Sequence, residues 1–274
     1  AIKDVGVRAK EETGSESLVL TDEEVQAYSD RLLADDNGSY AGKNDYSGPV
    51  AREKKAFIVI GRPAGGKSSV FADPLSKQQK ARIIDSDIVK PWLRNYNGGV
   101  GANYVNAASA KVADEAIIKA AERGENIVIP KIGGASIINE IALPLRVAGY
   151  SVELCFNDVT EEASIMRAAS RFARTGRYLS LQYLKSIGDK PNSTFRKFAG
   201  KSIKESVYEL SERQVQELRR RISRLSGMGG EHAGALRETG NGAGQGNVDE
   251  ILQAALGERG TASQDERLFA SAVW

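Results

Sequence analysis

The sequence predicts a three-layer α/β fold, a mostly parallel sheet with helices on both faces. Short apolar runs recur at Ala56–Ile60, Arg82–Ile84, Asn126–Ile129 and Ser151–Phe156. Helix-period segments separate them around Ser68–Leu75, Tyr104–Arg123 and Ser136–Ala148. Such alternation winds into a parallel sheet whose ligands bind at the carboxyl ends of the strands. The 274 residues, 41% of them hydrophobic, suffice for one good-sized core with appended segments.

Residues before about Thr21 are polar and unpatterned. Thr21-Asp22-Glu23-Glu24 then reads as a capping box, with Val25, Tyr28 and Leu32 on one face of a short helix. A polar loop carrying Gly38, Gly42 and Gly48 leads to Ala56–Ile60, a run that stops at glycine as a strand buried on both faces does. The fourth strand is followed by Asp158-Val159-Thr160-Glu161, a helix start, and by Gly176, a C-cap. A later helix carries Ile203, Val207, Leu210, Leu218, Ile222 and Leu225. Residues 227 to 246 are Gly-rich and poor in aliphatics, as in a flexible linker, and Val248–Leu256 suits a helix on a tail. The expected organisation is an N-terminal helical and loop extension over 1–50, a catalytic domain over 51–226, and a linker with C-terminal tail over 227–274.

Composition narrows the chemistry. With 38 basic and 36 acidic residues the net charge is +2, unlike a dedicated nucleic-acid binder, so a small molecule or a protein is the expected partner. Arg219-Arg220-Arg221 is a basic run, but Glu212 and Glu217 interrupt its surroundings and mark it as a solvated face. Cys155 is the single cysteine, which rules out an intramolecular disulfide and fits a reducing compartment. His232 is the single histidine and lies in a Gly-rich stretch, so Ser-His and Cys-His catalysis are disfavoured and proton transfer falls to a carboxylate or lysine. No apolar segment reaches membrane-spanning length, no signal peptide is visible, and Ala1 in place of Met suggests a processed or excised chain.

Gly61-Arg62-Pro63-Ala64-Gly65-Gly66-Lys67-Ser68 matches G-x-x-x-x-G-K-[ST] between a predicted strand and a predicted helix, the context that identifies a P-loop. The fold class is therefore a P-loop NTPase fold. Gly61, Ala64, Gly65, Gly66, Lys67, Ser68 and Ser69 are the expected nucleotide-binding residues, with backbone N–H groups and a helix N-terminus facing the phosphates. Lys67 bridges the β- and γ-phosphates in this expectation, and the Ser68 hydroxyl ligates Mg²⁺. No guanine-reading N-K-x-D and no switch D-x-x-G occurs downstream; the matches at Asp35–Gly38 and Asp45–Gly48 precede the loop. No aliphatic run ending in Asp-Glu follows either, which leaves a kinase of a small hydroxyl compound.

Asp85-Ser86-Asp87 places two carboxylates at the exit of the second strand. One can accept the proton of an attacking hydroxyl; the other can hold Mg²⁺ through water or cap the following helix, and spacing alone does not assign the roles. Arg167, Arg171 and Arg174 fall at i, i+4 and i+7 on one helical face, and Arg177 follows Gly176. Guanidiniums over a transferring phosphoryl group stabilise the charge on its equatorial oxygens.

The order of P-loop, Asp85-Ser86-Asp87, Gly98-Gly99-Val100-Gly101, a long helix from Tyr104 and Gly124–Ile129 resembles the zeta-toxin family of P-loop kinases, with chloramphenicol phosphotransferase a more distant relative. The resemblance covers roughly residues 20 to 200. It implies ATP as donor, Mg²⁺ at Ser68 and Asp85, Asp87 as catalytic base, and Arg171 with Arg177 on the donor phosphates beside Arg174. It also implies a cytoplasmic protein, UDP-N-acetylglucosamine as acceptor, and a small antitoxin as partner.

The chain departs from the family pattern on the acceptor side. Pro130-Lys131-Ile132-Gly133 stands where an acidic-Gly-Thr-like segment is common, and Asn106-Ala107 where a His-Glu-like pair is common. Asn106 and Lys131 are thus candidate acceptor contacts, and Lys131 suits an acceptor phosphate or diphosphate. The alternatives are a kinase of another nucleotide, dinucleotide or antibiotic, and a catalytically degenerate ATP-dependent binding protein. Gly98–Gly101 follows no strand and reads as a mobile loop.

Overall fold

β1 (Lys55–Gly61) lies at the centre of the sheet in a computed structural model of the chain, which describes residues 17–34, 48–134, 136–200, 220–221 and 269–273. The strand order is β2 (Arg82–Ile83), β3 (Ile127–Lys131), β1, β4 (Ser151–Asn157) and β5 (Phe269–Val273). Every pairing is parallel. The α/β class expected from the alternating apolar runs is what the chain adopts. β5 falls in the stretch whose glycines suggested linker and tail; it pairs with β4 from Glu153↔Phe269 to Asn157↔Val273.

Period-two alternation along β1 divides the core into two layers. Ala56, Ile58 and Ile60 join Ile127 and Ile129 of β3 and Val152, Leu154 and Phe156 of β4 in the larger cluster. Phe57 and Val59 join Ile83, Val128 and Cys155 in the smaller one, closed by Phe71 and Ala72. The larger layer is covered by α1 (Asp22–Leu33) and by α4 (Asn106–Glu122), which supplies Val112, Ala113, Ala116, Ile117 and Ala120. A π-helical turn at Ser68–Ala72 running into α2 (Asp73–Gln79) covers the smaller layer. The short α3 (Ser86–Val89) follows β2, and α5 (Leu143–Val147), entered through a second π-helical turn at Ile138–Ala142, precedes β4.

The capping box at Thr21 forms as expected: its hydroxyl accepts from Glu24 N–H, and Glu24 accepts from Thr21 N–H. α1 is anchored to the body of the fold. Val25, Leu32 and Leu33 enter the larger cluster, Gln26 Nε2 donates to Glu115 at 3.0 Å, and Arg94 pairs with Glu24 at 2.6 Å. At the amino end of the sheet, wholly buried Asn126 accepts from Glu53 and Lys55 N–H and donates to Gln79 O, while Arg82 and Glu125 form a buried pair at 2.7 Å. These contacts settle the foot of the sheet and leave the opposite end to chemistry.

α6 (Glu161–Thr175) starts at the N-cap Thr160 and stops at Gly176, which adopts φ +69° as a left-handed C-cap. Two further helices that no sequence pattern had marked, α7 (Leu181–Ser186) and α8 (Lys190–Phe198), follow. Phe198 is buried in the larger cluster and Phe195 stacks on Phe156 with centroids 5.2 Å apart. Of the late helix expected around Ile203 to Leu225, only 220–221 is among the described residues; there Arg221 donates to Glu140 O at 2.9 Å. Ile203, Val207, Leu210, Leu218, Ile222, Leu225 and His232 lie outside the described residues.

Candidate active site

The phosphate-binding loop is shaped by close packing against β4. Gly61 sits so near Asn157 that a Cβ would lie 2.7 Å from its carbonyl oxygen, and Gly66 has φ +90°. Ala64 holds φ +54°, a conformation costly for an L residue, so its neighbours must impose it. They do so through Asn157 and Ser164, which sequence reasoning had not marked, and through Arg167, expected over the phosphoryl group but hydrogen-bonded to the loop. Buried Asn157 donates from Nδ2 to Gly65 O at 3.0 Å, and Ser164 Oγ donates to Pro63 O at 2.7 Å. Arg167, from the same face of α6, donates to Gly65 O at 2.7 Å, and Arg62 reaches Glu161 at 3.5 Å. The N-terminal half of α6 is therefore a brace for the loop.

Lys67 folds back over the loop, its ammonium donating to Gly61 O and Arg62 O, both at 2.9 Å. Burial pushes its pKa down to about 8 despite the opposing pull of Asp85 and Asp87. The charge of Arg171 also acts on Lys67 in the depressing direction, so α6 brings that guanidinium within electrostatic reach of the loop. Ser69 Oγ donates to Gly66 O at 3.1 Å. Ser68 opens the following turn, half-buried beside Lys67.

The two carboxylates have different partners. Asp85 is buried and caps α3, accepting from Asp87 N–H at 2.9 Å. Burial first, then the neighbouring Asp87 charge, raises its pKa. Asp87 turns its Oδ1 to two cations, Arg177 Nη2 at 2.6 Å and Lys90 Nζ at 2.9 Å. Burial raises Asp87, but Arg177 and then Lys90 outweigh it and hold the carboxyl well below its ordinary range. Burial disfavours charge on Arg177, yet Asp87 more than offsets this and raises it. Tyr183 of α7 stands nearby; burial, then the Asp87 charge, pushes its phenol up.

Mg²⁺ needs few protein ligands, one or two oxygens beside phosphate oxygens and water. The Ser68 hydroxyl and the Asp85 carboxylate offer that hard-oxygen chemistry. No cluster of three or more metal-ligating side chains occurs among the described residues. The residues present fit a magnesium ion carried with a nucleotide rather than a resident metal centre.

Lys90, which no motif had singled out, links Asp87 to α4. Its ammonium spans from Asp87 to Asn106 Oδ1 at 2.8 Å. Lys131 ends β3 beside Ile60 and pairs with Asp114 of α4 at 3.1 Å, so it is a partnered lysine and not a loose loop cation. Arg174 is exposed on α6. Gly98–Gly101, read as a mobile loop, packs on the segment that bears Arg177: a Cβ on Gly99 would lie 2.9 Å from Arg177 Cα, and Tyr178 N–H donates to Gly99 O at 3.4 Å. No helix among the described residues is long and apolar enough to cross a membrane.

The chain is similar, at 15% identity and a TM-score of 0.46, to a chain from the PezAT chromosomal toxin-antitoxin system of Streptococcus pneumoniae, with 76% of this chain and 98% of that one covered. It is similar at 16% identity and a TM-score of 0.41 to a candidate kinase from Chloroflexus aurantiacus, covering 49% and 78%, and at 15% and 0.42 to a chain of the Pnkp1/Rnl/Hen1 RNA repair complex, covering 54% and 47%. No curated protein matches the chain. The model of the zeta toxin family matches residues 40–219, well over half of the sequence and all of the site from Gly61 to Arg177. With the P-loop, both strand-end carboxylates and the arginine helix inside that match, the chain belongs to the zeta toxin family and carries its kinase-like P-loop site.

Proposed function

We propose that this protein transfers the γ-phosphate of ATP to a hydroxyl of a small molecule, with UDP-N-acetylglucosamine the first acceptor to test. The observation that carries the proposal is the placement of Asp87 in α3, just after β2, where its charge acts on Lys67 of the phosphate loop and its carboxylate pairs with Arg177. Phosphoryl transfer needs little covalent help from the protein; it needs in-line positioning and charge on the equatorial oxygens. Lys67 and Arg171 supply charge from the donor side, and the backbone N–H groups of Gly65 and Gly66 with Ser69 line the loop. Asp87 takes the acceptor proton as the new O–P bond forms.

Ser68 and Asp85 would hold Mg²⁺, which supplies charge neutralisation on the donor phosphates when bound. Asn106 and Lys131 face the acceptor in this proposal, with Arg174 at the outer edge of the donor site. Asp114 next to Lys131 supports an acceptor that offers both anionic and hydroxyl groups, as a nucleotide sugar does. A small antitoxin that covers the nucleotide site, and a cytoplasmic setting, complete the proposal on the ground of family membership.

The test is to incubate the protein with Mg·ATP and UDP-N-acetylglucosamine, then with a metabolite extract, and follow new phosphorylated species by mass spectrometry beside Lys67→Ala. A Lys67-dependent product identifies the acceptor. ATP bound without any product, in either mixture, would contradict the kinase proposal and favour a nucleotide-dependent binding protein.

A further inference from the structure

Lys90 is buried, 6% exposed, in a place where an ammonium is costly unless acceptors meet its protons. Two do: Asp87 Oδ1 at 2.9 Å and Asn106 Oδ1 at 2.8 Å. Asp87 lies in α3 and Asn106 is the first residue of α4, so one side chain ties the carboxylate to the long helix of the larger layer. The same Oδ1 takes Arg177 at 2.6 Å. Both cations share that one oxygen.

Arg177 then has two anions to serve, the carboxylate of Asp87 and the phosphates of the donor. A guanidinium drawn to phosphate leaves Asp87 with a single cation, and a carboxylate released at the moment of transfer would lose its aim. We propose that Lys90 is the positioning residue of Asp87, fixing Oδ1 while Arg177 serves the donor so that Oδ2 stays turned to the acceptor hydroxyl. This rests on Asp87 being the base. In the step, the acceptor oxygen bonds to the γ-phosphorus and the bond to the bridging oxygen breaks, its electron pair leaving on ADP. The acceptor proton passes to Oδ2 of Asp87, and Lys90 neither gives nor takes one.

Lys90→Met keeps the length and the apolar stem of the side chain and removes the ammonium. Transfer to UDP-N-acetylglucosamine and hydrolysis of Mg·ATP by water are measured on the same samples, with Asp87→Asn in parallel. The expected result is a kcat lower by about 100-fold with KM for ATP unchanged, because a base displaced by about 1 Å loses that much while the donor site is untouched. Lys90→Arg should regain part of the loss, since a guanidinium can still reach Oδ1. Asn106→Ala, which keeps the ammonium and removes one anchor, should show a smaller loss of the same kind in hydrolysis, where no acceptor sugar is bound.

A wild-type kcat in Lys90→Met, or a loss carried by KM for ATP, overturns the inference. Should Lys90→Met fail to fold, Asn106→Ala decides: a lowered hydrolytic kcat supports the role of Lys90 and a wild-type value overturns it. An inactive Asp87→Asn beside a fully active Lys90→Met removes the role of Lys90 alone. An active Asp87→Asn removes Asp87 as the base and the role of Lys90 with it, while the kinase proposal stands; a wild type that neither transfers nor hydrolyses removes both.

Discussion

Arg177 donates to Oδ1 of Asp87 at 2.6 Å, which binds the segment after α6 directly to the carboxylate that follows β2. One ion pair thus joins an arginine proposed to bind the donor phosphates to the carboxylate proposed as the base.

Arg177→Ala should lower phosphoryl transfer by about 10³-fold or more, the scale on which a phosphate-stabilising arginine acts. Arg177→Lys should recover little, because an ammonium lacks the planar fork that grips two oxygens at once. Steady-state rates at saturating Mg·ATP check this. A lysine variant with wild-type turnover would show that only net charge is needed.

The buried ammonium of Lys67 gives a pH signature. Its folded pKa of about 8 lies below the ordinary 10.5, so between these values the unfolded chain holds a proton that the folded chain does not. Folding stability should therefore rise with pH across that window. The penalty is fully present below about 8 and lifted above the unfolded value. Denaturant titrations at several pH values should show wild type gaining on Lys67→Met from pH 8 to 10.5; parallel curves would mean that the ammonium is not desolvated.

Asn157→Ala removes one of two donors from Gly65 O, Arg167 keeping the other, and should cost about 0.5–1.5 kcal/mol of stability. It should also weaken ATP binding, because Ala64 depends on that brace to stay at φ +54°. Ser164→Ala acts on the other side of Ala64, at Pro63 O, and should have the same two effects. Thermal melts with and without Mg·ATP check both. A destabilised Asn157→Ala with unchanged affinity would separate loop shape from nucleotide binding.

Gly99→Ala places a methyl 2.9 Å from Arg177 Cα at a backbone φ of +107°. The segment bearing Arg177 must shift, and transfer should fall by about 10–100-fold. Gly98→Ala is the control: it shares the positive φ but has nothing within 4 Å of the added carbon. Equal effects of the two substitutions would assign the loss to backbone strain and not to displaced Arg177.

The parts of the site that are read from local order were legible in the sequence. A strand ending in the P-loop, the Asp85–Asp87 pair after β2 and the N-cap and C-cap of α6 each depend on a few adjacent residues, and all stand where expected. What escaped notice depends on contacts between distant segments. Lys90 looks like any helix-end lysine until α4 brings Asn106 to it, and Asn157 looks like a strand terminus until β4 lies against Gly65. Lys131 was marked by position alone, and Asp114, 17 residues earlier, is what gives it a partner. Gly98–Gly101 carries no sign of its packing because the backbone it approaches, Gly176–Arg177, lies far along the chain.

The most direct measurement is a single-turnover transfer of labelled γ-phosphate from Mg·ATP to UDP-N-acetylglucosamine by wild type and by Asp87→Asn, with ATP affinity determined for both. The account predicts that both bind ATP alike while the variant transfers at least about 100-fold more slowly, the range of a lost general base. Equal transfer rates, or tight ATP binding with no transfer by the wild type to this acceptor or to any extract component, would contradict it.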